Sequence, residues 1–466
     1  MSTTIATTDS RRALAAAFSG QLLTPDQPDY DAARRIHNGL IDKHPALIAR
    51  CLHTADVVDA VNFGRSEGLE ISVRGGGHNV AGKAVTEGGL MIDLSLMKGI
   101  HVDPARSTAR AQAGVTWGEY NRATAAFGLA SPGGVVSSTG IAGLTLGGGI
   151  PWLIGKYGMA VDNLLSAEVV LATGAVVTAG NDTDADLFWA LRGGGGNFGV
   201  VTSFEYRLHP LVSVLGGVVL HPLEAAPKLF SFYREFAAGL TDDLSTQAVF
   251  LHAPDGSGAK VCGVAVCHAA EDAARAEADV RPLRRFGSPI ADMLQRMPYP
   301  AVNTGVDWLF PKGALNYWKS AFLTELSDPA VTVMVTAFER APSQFCALVV
   351  EDFHGAVTRV ASAATAYPHR DPGFNLLLIA QWTDPEQTES CIAWARDTFD
   401  ALSPYVADRS YSNYLAADDG DRLRQAYGRN LERLVELKRR YDPHNLFRLN
   451  HNIDPRVHAV SSTREG

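Results

Sequence analysis

The stretch VRGGGHNVAGKAV, Val73 to Val85, sets four residues between Gly77 and Gly82 and follows the second glycine with Lys83-Ala84. That is one residue short of a phosphate-binding P-loop, which needs Ser or Thr after the lysine to ligate magnesium and a helix opening there to receive the phosphates. Ala84 supplies no such ligand, and the adjoining VTEGGLMIDLS carries Gly88-Gly89 and then a strand pattern, so the helix is missing too. A nucleotide hydrolase is set aside. The loop still has the glycines of a phosphate cradle, and it holds a histidine.

Working outward, the chain's 44 glycines cluster at Gly75 to Gly77, Gly147 to Gly149 and Gly193 to Gly196, all in the first two hundred residues. Such clusters mark backbone that approaches a partner closely or adopts positive φ. Between them HTADVVDAVNFGRSEGL has the apolar spacing of a helix, and EISVRG, GLMIDLSLM, GIHVD, TARAQAGV, SAEVVLATGAVVTAG and VVTSFEYRL read as short strands. Gly194, Gly196 and Gly199 match the dinucleotide fingerprint GxGxxG, but the adjoining VVTSFEYRL alternates like a strand where that fingerprint should open a helix, which argues against a nicotinamide site. The remaining account is a set of glycine turns presenting backbone N–H groups to an extended diphosphate. Beside a bound isoalloxazine, the neutral imidazole of His78 has a chemical use: it can bond the ring's 8α-methyl carbon, tethering the flavin and making it a stronger oxidant.

Composition sets the outer bounds. A chain of 466 residues, 46% hydrophobic and 20% charged, is ordinary for a globular protein of about two domains. A formal net charge of -9 with no basic block gives no field for a nucleic-acid backbone. Five cysteines without a CxxC pair suit neither a disulfide scaffold nor a zinc site, and imply a reducing cytoplasm. SRRALAAAF has the twin arginines of an export signal, but its apolar run ends at Ser19-Gly20 and passes into QLLTPDQPDYD, too polar for a signal core. No run approaches the roughly 18–20 apolar residues of a membrane span.

After Pro210 the pattern changes. VLGGVVLHPLE, TQAVFLHAP, AKVCGVAVCHAA, AVTVMVTAF and FNLLLIAQWTD read as strands, interleaved with the helical APKLFSFYREFAAGL and AEDAARAEADVRPLRRF. The expectation is a second domain with an antiparallel sheet covered by helices, so the whole is α+β. GDRLRQAYGRNLERLVELKRRYDPHNLF reads as a helix stopping at Asp442-Pro443.

VRGGGHNVAG, GLASPGGVVSSTGIAGLTLGGGIPWLIGKYGMAVDNLLSAEVVLATG, LFWALRGGGGNFGVVTSFEYRL, YSNYLAADD and YDPHNLFRLNHNI resemble, in order and over nearly the whole chain, the berberine bridge enzyme-like oxidases of the vanillyl-alcohol oxidase superfamily. The resemblance implies a PCMH-type FAD-binding domain over residues 1–210, a substrate domain over 211–408, and a C-terminal segment, 409–466, returning to the FAD domain. It implies FAD bonded through His78 and cradled by Arg74, Gly75, Gly76, Gly77, Asn79 and Gly82. Ser137, Ser138, Thr139, Gly140 and Gly143 of the second block and Gly147, Gly148 and Gly149 would pass the flavin. Gly196, Asn197, Gly199, Val200, Val201, Tyr411, Asn413 and Asn450 would complete the cofactor site. Many relatives attach FAD a second time through a cysteine of the second block; here that place is Val136, so a single bond is expected, with a smaller, more apolar substrate than an oligosaccharide.

By the same resemblance the chemistry is removal of a hydride from a carbon bearing oxygen or nitrogen to flavin N5, with dioxygen as reoxidant giving hydrogen peroxide. A base must lie within hydrogen-bond reach of the substrate's O–H or N–H. In VVEDFHGAV, Asp352 and His354 are two apart and share a strand face, making each a candidate against the plainer alternative of surface groups. Asn375 and Gln381 are polar positions in FNLLLIAQWTDP, where the family's catalytic acid or amide would fall near Leu377, which can be neither. Tyr414 and Asn413 of YSNY are the preferred substrate contacts, with Tyr414 a base if a cation depresses its pKa. Thr139 is a candidate for organising oxygen or a flavin carbonyl, and Trp152, Tyr317 and Trp318 for pocket walls or core. Three functions remain open: an oxidase of a secondary alcohol, hydroxylated amine or natural-product intermediate, giving a ketone or imine and peroxide; a dehydrogenase passing electrons to another acceptor; and a flavin-carrying protein that binds or sequesters a small molecule. Oligomeric state, monomer or homodimer, is open.

Overall fold

In the computed structural model, which describes residues 8–456, the first two hundred residues form two small sheets packed about one core. One has four strands in the order Gln21–Leu23, Leu47–Arg50, Leu90–Asp93, Ile71–Arg74, the last three parallel. LMID at its centre is buried throughout, as a parallel strand covered on both faces must be. The other is antiparallel, in the order Ile100–Asp103, Thr108–Gln112, Val200–Arg207, Leu164–Val170, Val176–Gly180. The GxGxxG stretch becomes a single 3₁₀ turn, Gly195–Asn197, leading straight into Val200–Arg207 with no helix.

An eight-stranded antiparallel sheet makes up the middle of the chain; its path runs Ala291–Asp292, Ser213–Pro222, Lys260–His268, Leu244–His252, Ala347–Phe353, Gly373–Trp382, Leu315–Phe322, and Gln295–Pro298 also pairs with Ser213–Pro222. Helices Ala226–Ala237, Asp328–Glu339 and Thr388–Leu402 cover one face. The period of two decides what each face sees. Leu348, Val350, Leu376 and Leu378 point into the helix-side core, while Ala347, Val349, Glu351, Leu377 and Ile379 point the other way, into a cavity.

Two elements differ from the sequence expectation. AVTVMVTAF is helical, within Asp328–Glu339: Ser327 caps it by accepting from the Ala330 N–H, Pro329 sits in its first turn, and Ala330, Val331, Met334 and Phe338 form its buried face. Capping and one-sided burial outweigh the β-propensity of its valines and threonines. The C-terminal stretch is not one helix but two, Leu423–Tyr427 and Leu431–Tyr441, because Gly428 takes φ +49° between them; the stop at Asp442 is as expected.

The second of these helices locks the tail to the first two hundred residues. Lys438, fully buried, donates to Asp442 at 2.7 Å, to the Asn197 carbonyl at 2.7 Å and to the Phe447 carbonyl at 3.0 Å. One ammonium thus ties the 3₁₀ turn at Gly195–Asn197 to the C-terminal segment. Lys438→Met removes the cation but leaves the Asp442 carboxylate buried, and is expected to destabilise the fold by about 3–5 kcal/mol. A lowered urea midpoint with unchanged slope would register it. Among the described residues no helix is long and apolar enough to cross a membrane.

Candidate active site

A cavity of about 530 Å³ runs from the glycine turns of the first half to the bare face of the eight-stranded sheet. Its near end is backbone. Gly75, Gly76, Gly77, His78 and Asn79 line it at the tip of the Ile71–Arg74 strand. Thr139, Gly140 and Gly143 lie at the start of helix Ile141–Leu146, where a side chain at Gly143 would meet only open space. Gly196, Asn197, Gly199, Val200 and Val201 close the opposite wall, with Gly147, Tyr411, Asn413 and Asn450 at the edge.

The tail is held there by contacts that use the absence of a side chain. A Cβ on Gly147 would fall 2.1 Å from Asn413 Oδ1, so only glycine admits the asparagine. Asn413 donates to the Leu144 carbonyl at 3.0 Å and to the Tyr411 hydroxyl at 2.8 Å, and that hydroxyl accepts from the Gly149 N–H at 2.8 Å.

His78 stands between this cavity and an outer crevice, lining both. Its Nε2 lies 3.4 Å from Ser138 Oγ, and its ring stacks on His37. Desolvation above all holds the imidazole well below its ordinary pKa, so it is neutral. Glu351 is the only acid, and Lys83 the only lysine or arginine, among the described residues lining the cavity. Burial, with Lys43 nearby, lowers the Lys83 ammonium's pKa.

Glu351, 3% exposed, is the feature the sequence reading missed. Tyr414 donates to its Oε1 at 2.9 Å and Asn375 to its Oε2 at 2.7 Å. Burial pushes this carboxyl up to about 7, against the lowering effect of the two donors. Tyr414 itself is raised well above the usual phenol value, by burial first and then by the Glu351 charge, so it remains a donor; the base role entertained for it is corrected.

Several other expectations are corrected by where the side chains lie. Asp352 and His354 face away from the cavity: they pair with each other, and His354 Nε2 lies 3.2 Å from the Thr241 carbonyl. They sit on one strand face, as expected, but it is the helix-side face. Arg74 is committed to Asp93 and to the Ala33 and Arg35 carbonyls, and bounds the outer crevice. Ser137 is bound to Asp307, Ser138 lines the crevice, and Gly82 packs beside Ile41. Gly148 and Gly149 pack behind the cavity wall, against Met159, Tyr367 and Ala160. Tyr317 donates to Asp418 at 2.8 Å on the far face of its strand, and Gln381 donates to the Leu309 carbonyl at 2.6 Å; neither lines the cavity, whereas Trp152, Trp318, Val136 and Leu377 do.

The cavity suits FAD. Glycine turns offer backbone N–H groups for a diphosphate, Lys83 offers a charge, Leu94, Val200 and Val201 offer apolar walls, and Gly143 leaves room where a side chain would intrude.

Comparison with known proteins points the same way. Residues 45–180 match the family model described as FAD binding domain, and residues 410–454 the one described as Berberine and berberine like. The chain is 33% identical to (R)-6-hydroxynicotine oxidase of Paenarthrobacter nicotinovorans over 96% of this chain and 99% of that one. It is 30% identical to an FAD-linked oxidoreductase of Dictyostelium discoideum over 88% and 89%. The crystal structure of 6-hydroxy-D-nicotine oxidase from Arthrobacter nicotinovorans superposes with a TM-score of 0.85 at 32% identity, covering 94% of this chain and 98% of that one. A chitooligosaccharide oxidase shares the fold, with a TM-score of 0.83 at 24% identity over 96% and 100%.

Proposed function

Because the chain belongs to the berberine bridge enzyme-like FAD-linked oxidoreductases, we propose that it is an oxidase of a small, largely apolar amine or alcohol, with Glu351 as the base and His78 as the single covalent anchor of FAD. The observation that carries this reading is the isolation of Glu351. Around it the substrate side of the cavity is mostly apolar, with Val249, Trp318, Ala347, Val349, Leu377 and Ile379 and only the amides of Gln247 and Gln295, a wall that would replace few of the hydrogen bonds a carbohydrate's hydroxyls lose with their water. An apolar ring system loses nothing on entering and presents one N–H or O–H to the carboxylate.

Bound FAD supplies a two-electron acceptor for the hydride leaving the adjacent carbon, with dioxygen regenerating it and releasing hydrogen peroxide. The protein's part is the proton. Ionised Glu351, its two oxygens fixed by Tyr414 and Asn375, keeps free lone pairs to accept the substrate proton. Trp318 and Leu377 line the cavity on the same sheet face as Glu351, and this apolar wall would exclude water. At the other end the neutral His78 imidazole anchors the cofactor, and Val136, which lines the cavity, offers no thiol for a second bond. The division at residues 210 and 408 accords with this: Glu351 comes from the middle segment, His78 from the first and Tyr414 from the last.

The test is a panel of aromatic secondary amines, benzylic alcohols and oligosaccharides, assayed for anaerobic bleaching of the flavin and then for aerobic peroxide release. Bleaching by amines or alcohols with stoichiometric peroxide is expected. Bleaching without peroxide would make the protein a dehydrogenase, and bleaching by sugars alone would overturn the substrate class.

A further inference from the structure

We propose that His37 is a positioning residue for cofactor attachment: its ring, stacked on His78 from the side away from the cavity, fixes the plane in which His78 bonds the flavin. This rests on the reading that His78 is the covalent anchor. The two ring centroids are 3.8 Å apart with 19° between planes. His37 lines the outer crevice and not the cavity, while His78 lines both, so His37 backs the imidazole from outside.

The backing is rigid. The His37 N–H donates to the Gly77 carbonyl at 2.9 Å, immediately before His78, and its own carbonyl accepts from the Gly313 N–H at 3.0 Å. The residue is buried at 6% exposure, yet its Nε2 has no hydrogen-bond partner. A buried nitrogen that bonds nothing contributes no directional contact. The contact that the ring makes with His78 is through its flat face. With that face on one side and the crevice-lining Ser138 Oγ at 3.4 Å from Nε2, the His78 ring is held in one plane between crevice and cavity. Burial, and then the nearby Lys312, push the His37 pKa down to about 4, so the backing ring is itself neutral near pH 7.

Attachment forms one bond between an imidazole nitrogen and the 8α carbon and breaks one C–H of that methyl group and the imidazole N–H. The 8α carbon is oxidised by two electrons, which with two protons end on the same flavin ring; dioxygen then reoxidises it, giving hydrogen peroxide. Such a step needs the nitrogen lone pair aimed along the forming bond, and orientation is what a loose ring forfeits.

The experiment compares full-length wild type, His37→Ala and His37→Phe. Each is incubated with excess FAD, and the flavin retained by acid-precipitated protein is followed in time, with non-covalent binding measured beside it by fluorescence quenching. His37→Ala is expected to bind FAD but to attach it at least about tenfold more slowly, the scale of penalty for a misplaced reacting group. His37→Phe, which keeps the flat face and removes the unpartnered nitrogen, is expected to attach at close to the wild-type rate. Attachment by His37→Ala at the wild-type rate would overturn this role alone, as would loss of attachment in both variants with FAD still bound. Absence of acid-stable flavin in wild type would overturn this role together with the His78 reading beneath it.

Discussion

Glu351→Gln is expected to slow anaerobic reduction of the bound flavin by about 10²- to 10⁴-fold, the contribution of one well-placed general base. Glutamine keeps the shape and can still meet Asn375 and Tyr414, so the loss would be of basicity and not of packing. The pH dependence supplies a second signature. Burial sets the carboxyl near 7 in a cavity with no other acid among its described lining residues. Since only the ionised form accepts a proton, the wild-type rate should rise as pH passes through about 7 and then level. Tyr414→Phe removes a donor that lowers the Glu351 pKa, so its ascending limb should move to higher pH. In Glu351→Gln the limb should disappear. A Glu351→Gln protein reduced as fast as wild type would take the carboxylate out of the mechanism.

That Glu351 escaped the sequence reading has a physical cause. In VVEDFHGAV alternation puts Glu351 on one face and Asp352 with His354 on the other, and nothing in the pattern says which face is covered. The second face attracted the expectation because it holds an acid and a histidine two apart. In the fold, helix Ala226–Ala237 with its buried Tyr233 covers that side of the sheet, and the single carboxyl on the bare side inherits the cavity. The place of Tyr414 and Asn413 at the cavity, by contrast, was legible because the family block that carries them is short and ordered; what it does not state is that the Tyr414 hydroxyl is bonded to Glu351 and that Asn413 is spent on Leu144 and Tyr411. The glycine turns were legible as a cradle because glycine is itself a statement about backbone. Lys83 was set aside with the failed P-loop, yet it lies in the cavity: the motif's chemistry was absent while its charge was kept. AVTVMVTAF fails differently, since a β-rich composition became helix once a cap and a one-sided core were available.

His78→Ala is expected to move all of the flavin from the acid-precipitated protein to the supernatant, with no residual in-gel fluorescence. The expectation of complete and not partial loss comes from two observations together. His78 stands where the cavity wall meets the glycine loop, held neutral by desolvation and flanked by His37 and Ser138, which is what an imidazole needs to act as a nucleophile. Val136 also lines the cavity, in the place where many relatives use a cysteine, and its isopropyl group forms no thioether. With one anchor removed there is no other. The glycine turns, Lys83 and the apolar walls are untouched by the substitution, so FAD should still bind non-covalently and remain substrate-reducible, but as a weaker oxidant, because a bond to the proposed His78 anchor would withdraw electron density from the ring. A His78→Ala protein that retained acid-stable flavin would place the anchor on another nucleophile; one with no affinity for FAD at all would mean that the imidazole, and not the glycine cradle, accounts for most of the binding.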